Sequence, residues 1–433
     1  MRGNKVSIGS IALSAILAAS LFAVSAAAQT ETVLHNFSNN GTDGNASYAG
    51  LIIDASGNLY GTTLLGGTHS NCDNGSGCGT AFKLSPAEGG GWSETILHDF
   101  DYNGKDGYQP NGSLVFDGAG NLYGTTEAGG TGACEGVTSV VGCGTVFELS
   151  PAAGGGWTEK ILYSFLSNGR DGNTPLSALV FDSDGNLYGT TYNGGAYNYG
   201  SVFELSPRTG GGWTEKVLHS FQDIQGKDGS FPNGSLTFDS AGNLYGTTQN
   251  GGLYHVGTAF ELTPRAGGGW AETILHNFAV NAFPRAGLIF DAAGNLYGTT
   301  PSGGTGHKGT VFELTPAVGG EWPETVLHSF ENNGVDGYEP LGSLVFDAKG
   351  NLFGTTFDGG TGTCREGCGT VFELTPAAGG EWTETVYSFA DGLDGYWPAS
   401  NLVFDRFGNL YGTTVNGGTD GGCVCGTVFE LTP

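Results

Sequence analysis

The chain consists of apolar runs five to nine residues long, separated by clusters of Gly, Asp, Asn and Pro. Four kinds of run recur in fixed order. Ser113–Asp117 (SLVFD) exemplifies run A, Gly120–Thr126 (GNLYGTT) run B, Gly309–Pro316 (GTVFELTP) run C, and Trp213–Phe221 (WTEKVLHSF) run D. All are rich in β-branched and aromatic residues and too short for stable helices, so each predicts a strand. Run B returns at Gly57, Gly120, Gly185, Gly242, Gly294, Gly350 and Gly408, at spacings of 63, 65, 57, 52, 56 and 58 residues.

Between A and B every unit has the pattern D-x-x-G-N, with Asp54, Asp117, Asp182, Asp239, Asp291, Asp347 and Asp405 three residues before the glycine. This predicts a tight hairpin, because an Asp side chain can accept from turn amides while Gly takes the left-handed conformation without steric cost. A calcium loop would need more oxygen ligands than most copies offer. Only Asp182 and Asp184 come as a pair.

Seven four-stranded units predict an all-β chain, a seven-bladed β-propeller. The ends agree with a closed ring. The stretch from Glu31 to Phe37 (ETVLHNF) is a lone D run, and the last unit has A, B and C, ending at Pro433, with no D after it. The first strand is therefore expected to complete the last blade. The units GNLYGTT, GTVFELTP and GGGWTET resemble the GloVer tandem repeat of bacterial secreted proteins and, more loosely, kelch and NHL blades. The resemblance covers the whole chain after the leader. It implies export and a propeller fold, and carries no established activity or cofactor.

Arg2 and Lys5, an apolar stretch from Ile8 to Val24 and the Ala26-Ala27-Ala28 end read as a signal peptide over residues 1–28, leaving a single domain over 29–433. No later segment is apolar enough to span a bilayer, and no sorting tail follows Pro433, so a free periplasmic or secreted monomer is expected. Glycine makes up 81 of 433 residues, and the formal charge is -27, or -29 once Arg2 and Lys5 are removed. Such charge disfavours nucleic acid and polyanionic partners.

All eight cysteines lie in B–C loops, as Cys72/Cys78, Cys134/Cys143, Cys364/Cys368 and Cys423/Cys425. From the last Thr of run B to the Gly of run C those loops advance 16, 18, 13 and 12 positions, whereas the three loops without cysteine advance 9 each. Only long loops carry cysteine, which predicts local disulfides in an oxidising compartment. The one-residue spacer of Cys423/Cys425 strains disulfide geometry. A zinc site from Cys364, Cys368, Cys423 and Cys425 is the competing reading; no metal or other cofactor is expected.

Residues repeated in most blades read as scaffold. These include His35, His98, His219, His276 and His328 of run D and the six tryptophans that open it. Divergence concentrates in the D–A and B–C loops, which share one face in a propeller. Six of the seven D–A loops have an acid before Gly: Asp43, Asp106, Asp171, Asp228, Asp336 and Asp394. Unit 5 instead reads Val280–Ala286 (VNAFPRA) and offers Arg285. His255 and His307 occupy matching B–C positions, with Tyr254 beside the first, and Tyr338, Tyr396 and Trp397 lie in D–A loops. Short loops on units 3 to 5 beside long ones elsewhere predict a groove. Its tyrosines and Trp397 could stack sugar rings, favouring a glycan- or protein-binding module. The alternative is a polysaccharide lyase or glycosidase, with Arg285 neutralising a uronate and His255 or His307 removing a proton.

Overall fold

The computed structural model describes residues 29–432 apart from 39, 73–74, 133, 135–141, 391 and 420–424. The leader expected over 1–28 and Cys423 lie outside the described residues. Seven four-stranded antiparallel meanders form a seven-bladed β-propeller. In blade 3, strand A is Val180–Phe181, B is Leu187–Thr191, C is Ser201–Pro207 and D is Trp213–Ser220, paired in that order.

Burial grades outward from the axis. Strand B is buried along its length, while strand D alternates, as an outer strand with one wet face should. Strand A pairs with B over two residues only, shorter than the run SLVFD suggests. The residues before it turn toward the axis and bond neighbouring blades instead, as when Gly50 N donates to Ser113 Oγ at 2.8 Å and Gly287 N to Ser343 Oγ at 2.9 Å.

The A–B turn forms as its residues dictate. Asp182 Oδ1 accepts from the amides of Asp184 and Asn186 at 2.9 and 2.8 Å, and Oδ2 from Asn186 Nδ2 and the Tyr188 hydroxyl at 2.7 and 3.0 Å. Gly185 sits at φ +82° with open space where a Cβ would go, so conformation alone selects glycine there. The glycine of strand B is chosen for space: a Cβ on Gly189 would lie 2.7 Å from Phe203 Cζ.

Blades adhere through repeated aromatic contacts. The phenylalanine that ends each D run meets the strand C phenylalanine of the next blade edge to face, as in Phe221–Phe260 at 5.2 Å and Phe330–Phe372 at 5.2 Å. The strand B tyrosine meets the strand D tryptophan of the next blade, as in Tyr188–Trp270 at 6.2 Å.

Both chain ends share one sheet, in the order Thr30–Asn36, Thr427–Thr432, Leu410–Thr413, Val403–Phe404. Thr30 pairs with Thr432, and Phe37 N donates to Gly426 O at 3.0 Å. The expected closure is present. Disulfides join Cys72 to Cys78, Cys134 to Cys143 and Cys364 to Cys368, which removes Cys364 and Cys368 from any thiolate zinc site. They fit an oxidising compartment. No helix among the described residues is long and apolar enough to cross a membrane.

Candidate functional site

The D–A and B–C loops do share a face, because they pair with each other. Gly172–Asn173 forms a two-residue ribbon with Asn193–Gly194, and Gly337–Tyr338 with Asp358–Gly359. The D–A loop into each blade places one residue before strand A in the left-handed region. The seven are Ala46, Gln109, Thr174, Phe231, Phe283, Glu339 and Trp397, with φ between 50° and 62°. Six precede a proline. Left-handed backbone is costly for bulky side chains and is retained where the surroundings enforce it.

Here the surroundings are neighbouring blades. Phe283 N donates to Val256 O and Trp397 N to Cys368 O, both at 2.9 Å, while Trp397 O accepts from Val415 N at 3.1 Å. The side chains at these positions vary, so one backbone cradle presents six different groups at seven places, phenylalanine occurring twice. Two residues on, Tyr48, Asn111, Leu176, Asn233, Arg285, Leu341 and Ala399 line the mouth of the central channel, around a cavity of about 250 Å³.

The aromatics gather on one arc. Trp397 stacks on Phe357 at 5.2 Å with an interplanar angle of 17°, and Phe231 lies 5.1 Å from Tyr192. Between blades 4 and 6 a cavity of about 540 Å³ opens at the channel mouth. Phe283, Phe357 and Tyr48 give it apolar walls, and Arg285, Glu339, Gln249, Asn250 and Ser302 give it donors and acceptors. Tyr48, Arg285 and Leu341 border both cavities, so the two are continuous. An apolar pocket with a few placed polar groups is the usual form of a small-ligand or sugar site.

Behind its blade 6 wall the packing is tight. Lys308 Nζ lies 4.1 Å from the Tyr338 ring centre, and the Tyr338 hydroxyl donates to Glu366 O at 2.7 Å. Burial, then Glu339 and Glu366, push Asp358 up to about 6.

The candidate residues from sequence separate into groups. Arg285 lines the cavity, and Trp397 stacks on its wall residue Phe357. Tyr396 lies edge to face with Trp397 at 5.0 Å. Tyr338 is 2% exposed, so its ring supports the wall rather than facing ligand. Tyr254 is 56% exposed, and His255 lies 3.9 Å from Asp223. Neither these two nor His307 border the cavity that Arg285 lines. His255 and His307 occupy left-handed positions equivalent to Asn198, at φ 60°, 54° and 64°, which accounts for their shared place in the loop. Sequence reasoning passed over Phe231, Phe283, Glu339 and Phe357. For Phe231, Phe283 and Glu339 the signal was a variable residue before a recurrent proline, a pairing that favours extended or turn backbone; Phe357 had none.

No curated protein sequence matches the chain. Three solved structures are similar in outline. A gluconolactonase of Xanthomonas campestris is 14% identical, with 93% of this chain and 89% of that one covered and a TM-score of 0.42. A luciferin-regenerating enzyme is 16% identical, with coverages of 76% and 93% and a TM-score of 0.44. The NanB sialidase of Streptococcus pneumoniae is 14% identical, with coverages of 92% and 70% and a TM-score of 0.43. The profile of the Gloeobacter/Verrucomicrobia repeat matches residues 16–237, 132–364 and 238–433, so the chain belongs to that repeat family.

Proposed function

We propose that this protein is an exported, non-catalytic module that binds neutral polysaccharide at the mouth of its channel, over blades 4 to 6. The observation that carries the reading is the cavity of about 540 Å³ walled by Phe283, Phe357 and Tyr48, with Arg285 and Glu339 on its rim. Flat aromatic faces take up the apolar faces of sugar rings, and amides and charged groups bond the hydroxyls. The formal charge of -27 makes a neutral chain a better partner than a polyanion. A lyase would need His255 or His307 beside Arg285, and neither borders the same cavity.

The test is affinity electrophoresis of the purified protein in gels containing a panel of neutral and acidic polysaccharides, with a parallel assay for reducing and unsaturated ends. Retention by a neutral polysaccharide without products is expected. Phe283→Ala and Phe357→Ala should each weaken it roughly tenfold, the effect of about 1.4 kcal/mol, while Tyr254→Ala should not. Released products abolished by His255→Ala or His307→Ala, or no retention on any polymer, would overturn the reading.

A further inference from the structure

The histidines of strand D do more than pack. At four of the seven blade junctions one of them meets two carboxylates: His35 with Asp43 and Glu94, His98 with Asp106 and Glu159, His219 with Asp228 and Glu272, and His328 with Asp336 and Glu384. In each group the histidine comes from the outer strand of one blade, the aspartate from the loop into the next blade, and the glutamate from that blade's outer strand. The three ligand atoms lie within 4.8 Å of one another.

The distances suit a small cation. His98 Nε2 is 3.1 Å from Asp106 Oδ2 and 3.6 Å from Glu159 Oε1. His328 Nε2 is 3.4 and 3.5 Å from Asp336 Oδ2 and Glu384 Oε1. Zinc bound tetrahedrally at about 2.0–2.2 Å by such nitrogen and oxygen atoms sets them about 3.4 Å apart. The side chain of Asp106 is 8% exposed and that of Asp336 is 7% exposed, yet Oδ1 of each has no hydrogen-bond partner. Glu159 Oε1 and Glu384 Oε1 are likewise buried without a hydrogen bond, and His328 Nε2 meets its two carboxylates at ion-pair distance without one. Oδ2 of Asp106 accepts from Asp101 N at 3.0 Å and Oδ2 of Asp336 from Glu331 N at 2.8 Å, but no N–H among the described residues reaches the buried Oδ1 atoms or the facing Glu oxygens, and a buried carboxylate pair so left is costly unless a proton or a cation joins it.

The other three junctions act as internal controls. At two of them tyrosine replaces histidine, and the Tyr163 hydroxyl donates to Asp171 Oδ2 at 2.8 Å, supplying a proton where imidazole would supply a lone pair. At the junction of blades 4 and 5 the loop aspartate is missing, and His276 meets Glu324 at 3.4 Å and Trp322 O at 3.2 Å. Beside the first triad a surface recess of about 480 Å³, bordered by His35, Asp43 and Glu94, gives solvent ions a way in.

We infer that the four His–Asp–Glu triads are divalent transition-metal sites, zinc being the best fit, that clasp adjacent blades at the rim of the ring. Protein stripped with chelator, equilibrated with zinc, desalted and analysed by mass spectrometry for metal should retain about four zinc ions per chain, one for each triad. His98→Tyr, which copies the natural tyrosine junctions, should lower the count by one, and His276→Tyr should leave it unchanged. Cobalt in place of zinc should give visible d–d absorption that falls by about a quarter in His98→Tyr. Glu159→Gln, close to isosteric, carries the same expectation should His98→Tyr not fold. No metal retained, or a count that neither variant of the second triad lowers, would overturn the inference. A melting temperature that responds to pH while no metal binds would identify the triads as proton-sharing clasps and also overturn it.

Discussion

Phe37→Ala distinguishes a sealed ring from a chain with a loose end. Phe37 is the ninth residue after the expected leader end at Ala28, where an unanchored segment would fray. It is instead 1% exposed, 5.2 Å from Phe82 of blade 1 and 5.1 Å from His35, with its amide on Gly426. Its counterpart Phe221, in mid-chain, is 0% exposed and makes the same contact with Phe260 at 5.2 Å. Truncating a buried Phe to Ala costs about 3–5 kcal/mol from lost transfer energy and the cavity left behind. If the seam between the ends is as well packed as an internal junction, both substitutions should cost that amount. Urea unfolding with disulfides intact, followed by tryptophan fluorescence and circular dichroism, measures both on one scale; coincident transitions justify the comparison. A cost below about 1 kcal/mol for Phe37→Ala beside 3 or more for Phe221→Ala would refute the closure.

Other consequences can be checked with the same material. Gly189→Ala should destabilise by about 1–3 kcal/mol in urea melts, because its Cβ would lie 2.7 Å from Phe203 Cζ and 3.0 Å from Leu179 Cδ2. Asp182→Ala should cost about 1–3 kcal/mol by removing a charged acceptor from two backbone amides, Asn186 and Tyr188. Stability should peak in mildly acidic solution. Partial burial works against them, but hydrogen bonds from the turn hold Asp54, Asp117 and Asp182 below their ordinary value, so their contribution is present above about pH 3.8 and is lost as acid protonates them. Glu215, facing Asp171 and Tyr163, and Glu31, facing Asp394 and Tyr387, are pushed up to about 7 by burial and then by those aspartates. The folded state therefore holds their protons longer, and stability falls from about pH 4.5 to 7; a melting temperature rising across that range would contradict the assignment.

The repeat made the scaffold readable. Each turn aspartate is followed by the glycine and asparagine that its bonds require, and each strand B glycine marks the spot where a phenylalanine closes in, so one unit predicts the others. The lone first D run predicted the closing sheet for the same reason. The site was legible only in part. Arg285 and Trp397 were visible as departures from the repeat, whereas Phe283 looks like an ordinary core aromatic until its left-handed backbone sets it at the channel mouth, and Phe357, just after strand B, carries no sequence signal of its place there. The strand D histidines pack edge to face on the phenylalanine two residues on, as their recurrence suggests, but recurrence could not show their other neighbours. The carboxylates they meet lie 8 or 9 residues ahead in the next loop and on the next blade's outer strand, a relation that only the ring brings together.

The most direct measurement on the functional claim is a crystal structure of the protein with an oligosaccharide of whichever polymer retains it. Sugar rings stacked on Phe283 and Phe357, with hydroxyls bonded to Arg285 or Glu339, are the predicted result. Sugar bound at the outer loops beside Tyr254 and His255, or an empty channel mouth in crystals of a complex shown to bind in solution, would contradict it.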